Sequence, residues 1–194
     1  MSKDSSVERR PWQPYVTDGW ASMQVKRRFS VTLGKMLQNS PREARDREVP
    51  YLKAQHVQWA GIRIEDIPTM WASDQEIVAL SLTAGDLLVC EGGEVGRAAI
   101  LRSTLPADCI IQNALHRVRP HGSDSTRILA YIFRYAATQE WFDVLCNRST
   151  IAHFTVDKFG EMWIALPDAS TQERIADYLD GETSRLDALV AAKE

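Results

Sequence analysis

The stretch that decides the fold runs from Ile164 to Glu194, IALPDASTQERIADYLDGETSRLDALVAAKE. It completes a short apolar run, EMWIALP from Glu161, which reads as a strand ended by Pro167. Ser170-Thr171-Gln172-Glu173 then has the spacing of a capping box, with Ser170 at the N-cap and Glu173 three residues on. Ile175, Leu179, Leu186 and Leu189 follow at spacings compatible with a 3.5-residue seam, interrupted by the polar Glu182. The pattern predicts one long helix of the coiled-coil type over 170–194. No C-cap residue closes it, so the helix is expected either to continue in a longer polypeptide or to fray at Glu194.

Working back from that helix, Thr155 to Phe159 predicts a helical turn, and NRSTIAHF before it a loop or short strand. Over 126–146, Ile128, Ile132, Tyr135 and Ala136, then Trp141, Phe142 and Leu145, recur at helical spacing, which predicts two short helices or one bent one. Further back the period changes. CIIQNALHRVRP reads as one or two strands, and LLVC and RAAIL as a hairpin-like pair joined by Gly92, Gly93 and Gly96. VPYLKAQHVQWAGI is β-like as far as Gly61, and QNSPREARDRE over 38–48 is a charged loop. The expected class is α+β. A twisted, β-rich body spans 20–169, a disordered or extended lead-in precedes it over 1–19, and the long helix follows.

Composition bounds the function. The 194 residues are 44% hydrophobic, enough for a real core. No apolar run is long enough for a membrane span and the first residues lack a secretory h-region, so a cytoplasmic protein is expected. Cys90, Cys109 and Cys146 are scattered and His56, His116, His121 and His153 show no i, i+4 pair, which argues against disulfides and zinc. The net charge is −3, but residues 1–60 hold 11 basic against 6 acidic residues, and 171–194 hold 3 against 6. A DNA-binding face needs only local positive potential. Gly92-Gly93-x-x-Gly96 is neither of the phosphate-binding glycine patterns and reads as a turn. No Asn/Asp-Pro-Pro-Tyr/Phe methyltransferase motif, nuclease pattern or nucleophile–base set is present.

Six strings in order carry a resemblance: YLKAQHV (51–57), GDLLVCEGGEVGRAAI (85–100), IQNALHRVRP (111–120), STIAHFT (149–155), IALPDASTQERIADYLD (164–180) and TSRLDAL (183–189). Together they resemble a target-recognition domain of the specificity subunits of type I restriction–modification systems. The resemblance covers roughly 49–194. Thr171-Gln172 stands where that family more usually has Glu-Gln. The resemblance implies a non-enzymatic reader of one half of a split site on double-stranded DNA. It implies that separate methyltransferase subunits carry S-adenosylmethionine and that a separate motor/nuclease subunit cleaves, leaving this chain with no cofactor or metal of its own. It also implies that the helix packs against a second specificity half or a second copy.

Base readout needs paired donors and acceptors, which arginine, asparagine, glutamine and histidine supply. Gln55, His56, Gln58, Arg63, Gln112, Asn113, Asn147, Arg148 and His153 lie on predicted loops or strand ends. Arg97 beside the glycine turn joins them, and Lys26, Arg27 and Arg28 form the densest basic run, suited to phosphates. Trp141, Phe142, Trp163 and Tyr178 are expected in the core rather than as stacking platforms for bases. Ile175, Leu179, Leu186 and Leu189 are the expected helix–helix seam. The competing reading is a protein-interaction module that dimerises through that helix and binds no DNA.

Overall fold

The computed structural model describes residues 18–146 and 153–192. Its strands are β1 (Ala21–Gln24), β2 (Phe29–Leu33), β3 (Arg47–Leu52), β4 (Val57–Gln58), β5 (Gly61–Ile62), β6 (Thr69–Ala72), β7 (Leu87–Cys90), β8 (Ala98–Ile100), β9 (Ile110–Ile111), β10 (Leu115–Pro120) and β11 (Trp163–Leu166). The helices are α1 (Asp74–Leu80), α2 (Thr126–Thr138), α3 (Trp141–Leu145), α4 (Val156–Glu161) and α5 (Ala169–Ala191). The α+β class expected from sequence is what the structure has. The lead-in lies largely outside the described residues, as do Asn147 and Arg148.

The central sheet is antiparallel in the order β2-β10-β7-β8. Its strand β7 explains the unbroken run LLVC. Leu87 and Val89 face one core while Leu88 and Cys90 face another, so neither face of the strand tolerates a polar residue. The first core lies under α2, α3 and α4. There Phe133, Phe142, Phe154 and Phe159 pack with neighbouring ring centroids 4.9–6.0 Å apart. The second core joins β7 to β9 and to Leu52 and Val57. A third gathers Val49, Tyr51, Met70, Ile77 and Ile110 between α1 and the sheet β6-β3-β9, in which β3 and β9 run parallel. Strand β1 pairs antiparallel with β11, bringing the two ends of the body together.

Helix α5 begins two residues earlier than the capping box suggested. Asp168, in extended backbone, is the N-cap, and its carboxylate accepts from the Thr171 amide at 3.0 Å and hydroxyl at 2.7 Å. Glu173 does not reach back. It accepts from Arg127 of α2 instead, and Asp177 and Asp180 accept from the same guanidinium at 2.7 and 2.9 Å. Those carboxylates recur once per turn on one side of α5, which clamps the helix along α2. Tyr131 adds a donor to Asp180 at 2.6 Å.

Beneath that clamp lies a buried polar knot. Gln172 has no exposed surface. Its amide nitrogen donates to Asp124 at 2.8 Å and to the Pro167 carbonyl at 2.9 Å, while its oxygen accepts from the Ser125 amide at 2.9 Å. Ser125 is the N-cap of α2 and gives no side-chain cap, so a glutamine from α5 satisfies part of that helix start. Arg28 completes the knot with two hydrogen bonds to the Asp124 carboxylate, at 2.5 and 2.7 Å. Burial pushes the Asp124 carboxyl up, but the bonds from Arg28 and Gln172 outweigh it and hold the group below the usual carboxylate range.

Candidate nucleic-acid interface

Several predicted reading residues meet at the edge of the central sheet where β7 ends and β10 begins. The turn between β9 and β10 carries Gln112 and Asn113, both half-buried, and Leu115 just beyond it is in register with Cys90. Backbone bonds fix this turn from three directions. The Gln112 amide donates to Leu52 at the end of β3, Asn113 donates to Lys35, and Glu91 donates to Ala114. His153 reaches the same edge, its Nδ1 2.9 Å from the Glu91 carboxylate. Gln55 stands exposed on the 3-10 turn Ala54–His56, and Arg63 lies exposed with its amide donating to the His56 carbonyl.

Other predicted residues are committed to structural bonds. His56 is 2% exposed, and its Nδ1 accepts from the Lys53 amide at 3.0 Å. Burial, aided by the Lys53 charge, lowers its pKa and keeps the ring neutral. Arg97 pairs with Glu94 at 2.7 Å and donates to the Ala54 carbonyl at 3.1 Å, tying the hairpin loop to the 3-10 turn. The glycine turn is structural: Gly96 has φ +78° and a Cβ there would stand 2.4 Å from the Phe142 ring. Gln58 donates to the Gln55 carbonyl.

The basic run sits elsewhere, beyond the start of β2. Phe29 is in register with Pro120, at the far end of β10 from the reading turn. Arg28 is committed to Asp124, and that bond raises its pKa. Lys26 lies 3.8 Å from Glu161, and Arg27 is exposed. Of the aromatic residues expected in the core, Phe142 is buried and Trp141 packs against it, but Trp163 and Tyr178 are exposed. The reason is register: Trp163 starts an edge strand paired only with β1, and Tyr178 lies off the face that α5 turns to the body. Ile175 of the predicted seam packs on the chain's own first core, whereas Leu186 and Leu189 are 55% and 51% exposed.

Among the described residues no group of His, Cys, Asp and Glu is placed to hold a metal ion, and no helix is long and apolar enough to cross a membrane. Residues 73–191, from the N-cap of α1 to the end of α5, match the family described as type I restriction modification DNA specificity domain. The chain belongs to that family. Three solved structures share the specificity-domain fold. One is a chain from work on complex assembly and conformational transition of the type I R-M system, with TM-score 0.69 and 20% identity, covering 92% of this chain and 42% of that one. The HsdS subunit from Thermoanaerobacter tengcongensis gives 0.64 and 17%, covering 93% and 41%. The S subunit of the type I restriction-modification system from M. genitalium gives 0.58 and 16%, covering 89% and 41%. The specificity-domain chain therefore spans about two fifths of the length of these structures. No curated protein sequence matches it.

Proposed function

We propose that this chain reads one half of a split DNA target on behalf of a type I restriction–modification assembly and has no active site of its own. The observation that carries this is that Gln112, Asn113 and His153 lie together where β7 ends and β10 begins in a specificity domain, with Gln55 exposed on the 3-10 turn that follows β3. Phosphate contacts set register there, and side-chain amides and guanidinium groups read base edges. Adenine methylation belongs to a methyltransferase subunit that binds S-adenosylmethionine and takes the base out of the stack, and cleavage belongs to a motor/nuclease subunit. The test is the adenine-methylation pattern on random-sequence DNA, with the methyltransferase subunit alone and with this chain added. A split motif that needs this chain supports the reading. An identical pattern without it overturns the reading.

Helix α5 supplies the second half of the assembly in this reading. Its apolar Leu186, Leu189 and Val190 are all exposed beyond the part clamped to α2. A second copy packed against this stripe gives a two-fold pair and a palindromic split site. The Leu186→Glu/Leu189→Glu chain is expected to keep its fold, because both positions are on the surface of the single chain, and to lose only the stability that association adds. In sedimentation the parent is expected to run as a dimer and the variant as a monomer. A parent that is monomeric, or a variant that stays dimeric, removes this stripe from the assembly.

A further inference from the structure

We infer that the segment Met36–Asp46 is a second DNA-contacting element, with Arg42 and Arg45 on phosphates and Met36 and Leu37 against the bases. This rests on the DNA-reading function proposed above. The segment begins at the reading turn itself. The Lys35 amide donates to Ile111 at 2.9 Å, and the Asn113 amide donates back to the Lys35 carbonyl at 2.9 Å. Its apolar start is held again at Gln38, whose carbonyl accepts from Trp71 of β6. The chain between these anchors spans about 10 Å, well inside one duplex footprint.

Met36 is 69% exposed and Leu37 40%, although the backbone on both sides of them is hydrogen-bonded in place. Lys35, the first anchor, turns inward and pairs with Glu76 of α1, so the start of the segment shows apolar side chains and the cation beside them is hidden. That inverts the usual surface order and fits a partner that offers apolar contact, as the thymine methyl does in the major groove.

The loop beyond is folded in advance. The Asp46 carboxylate accepts from the amides of Arg42 at 2.8 Å and Glu43 at 3.3 Å, and from the buried Gln38 side chain at 2.9 Å. The acidic group is thereby turned into the loop, while the side chains of Arg42 and Arg45 stay exposed with no carboxylate partner among the described residues. Glu43 is the one exposed carboxylate left between them. Two free guanidinium groups on a preorganised loop suit phosphate oxygens, which accept the same paired donors as a carboxylate.

The test uses the chain with its methyltransferase subunit on a duplex carrying the methylated motif. Arg42→Gln/Arg45→Gln is expected to weaken binding to that duplex and to random duplex alike. It is also expected to flatten the dependence of log K on log salt by roughly 1.8, at about 0.9 per phosphate. Met36→Ser/Leu37→Ser is expected to keep the parent's salt dependence and lose roughly tenfold in affinity for the motif only, the scale of one good base contact. Uracil in place of thymine in the half-site is then expected to weaken the parent and not the serine variant. An unchanged salt dependence in the glutamine variant overturns the phosphate contacts. A serine variant that retains the parent's affinity, or that loses the methyltransferase subunit in the absence of DNA, overturns the base contacts. A parent complex that binds no DNA fails earlier, and takes the proposed function with it.

Discussion

A Gln172→Ala chain is expected to lose about 3–5 kcal/mol of stability and to melt roughly 10 °C below the parent. The substitution strands three groups at once. The Ser125 amide loses its acceptor, the Pro167 carbonyl its donor, and the Asp124 carboxylate one of the bonds that keep it ionised in a buried place. Each such group costs about 1–3 kcal/mol when left unmet. Gln172→Met separates hydrogen bonding from packing, because it keeps most of the volume and none of the bonds. It is expected to fall almost as far as the alanine. A methionine chain as stable as the parent in urea unfolding refutes the polar knot as the fastening of α5.

The second large effect is expected at Gly34. A Cβ there would stand 2.2 Å from the Gln112 carbonyl oxygen and 2.4 Å from that of Ile111, both rigid backbone atoms. Gly34→Ala must therefore lift the 34–38 segment off the β9–β10 turn, at the expense of the Gly34–Leu115, Lys35–Ile111 and Asn113–Lys35 bonds. Overpacking plus lost backbone bonds amount to about 3–5 kcal/mol. The damage is local to the reading edge, so DNA affinity is expected to drop further than the melting temperature alone accounts for. The measurement is urea unfolding beside binding to the methylated motif. An alanine chain with unchanged midpoint and affinity overturns the close approach of the two backbones.

The sequence announces the helices and the central hairpin because their signals are local. LLVC is continuous because both of its faces are covered, and Ile128 and Phe142 keep helical period because α2 and α3 each cover one core. Helix α1 carries a local signal of the same kind. Ser73-x-x-Glu76 is a capping box, and in the structure the Glu76 carboxylate accepts from the Ser73 amide while Ser73 Oγ accepts from Glu76. The same signal misled at α5, where Asp168 stands two residues ahead of Ser170 and takes the cap. What no window of sequence shows is which polar residues are spoken for. Arg28 and Arg42 look alike in the chain, yet the Arg28 guanidinium meets Asp124 across 96 positions and that of Arg42 pairs with no carboxylate among the described residues. The candidate interface was half visible for that reason. Gln112 and Asn113 were readable as turn residues, but Met36, Leu37, Arg42 and Arg45 gain meaning only once β9 is laid beside Lys35.

The pairing of β1 with β11 sets the order in which this molecule is made. Ala21–Gln24 leaves a ribosome well before Trp163–Leu166, its one strand partner among the described residues. Strand β2 waits in the same way for His116–Pro120. Until those late strands emerge, the early ones have apolar side chains and open backbone edges with nothing in the chain to cover them. The body therefore closes only once Leu166 has been made, and closes slowly, because the contacts that finish it join distant parts of the chain. Nascent chains halted before residue 163 are the form most exposed to aggregation, and the form that depends most on chaperones.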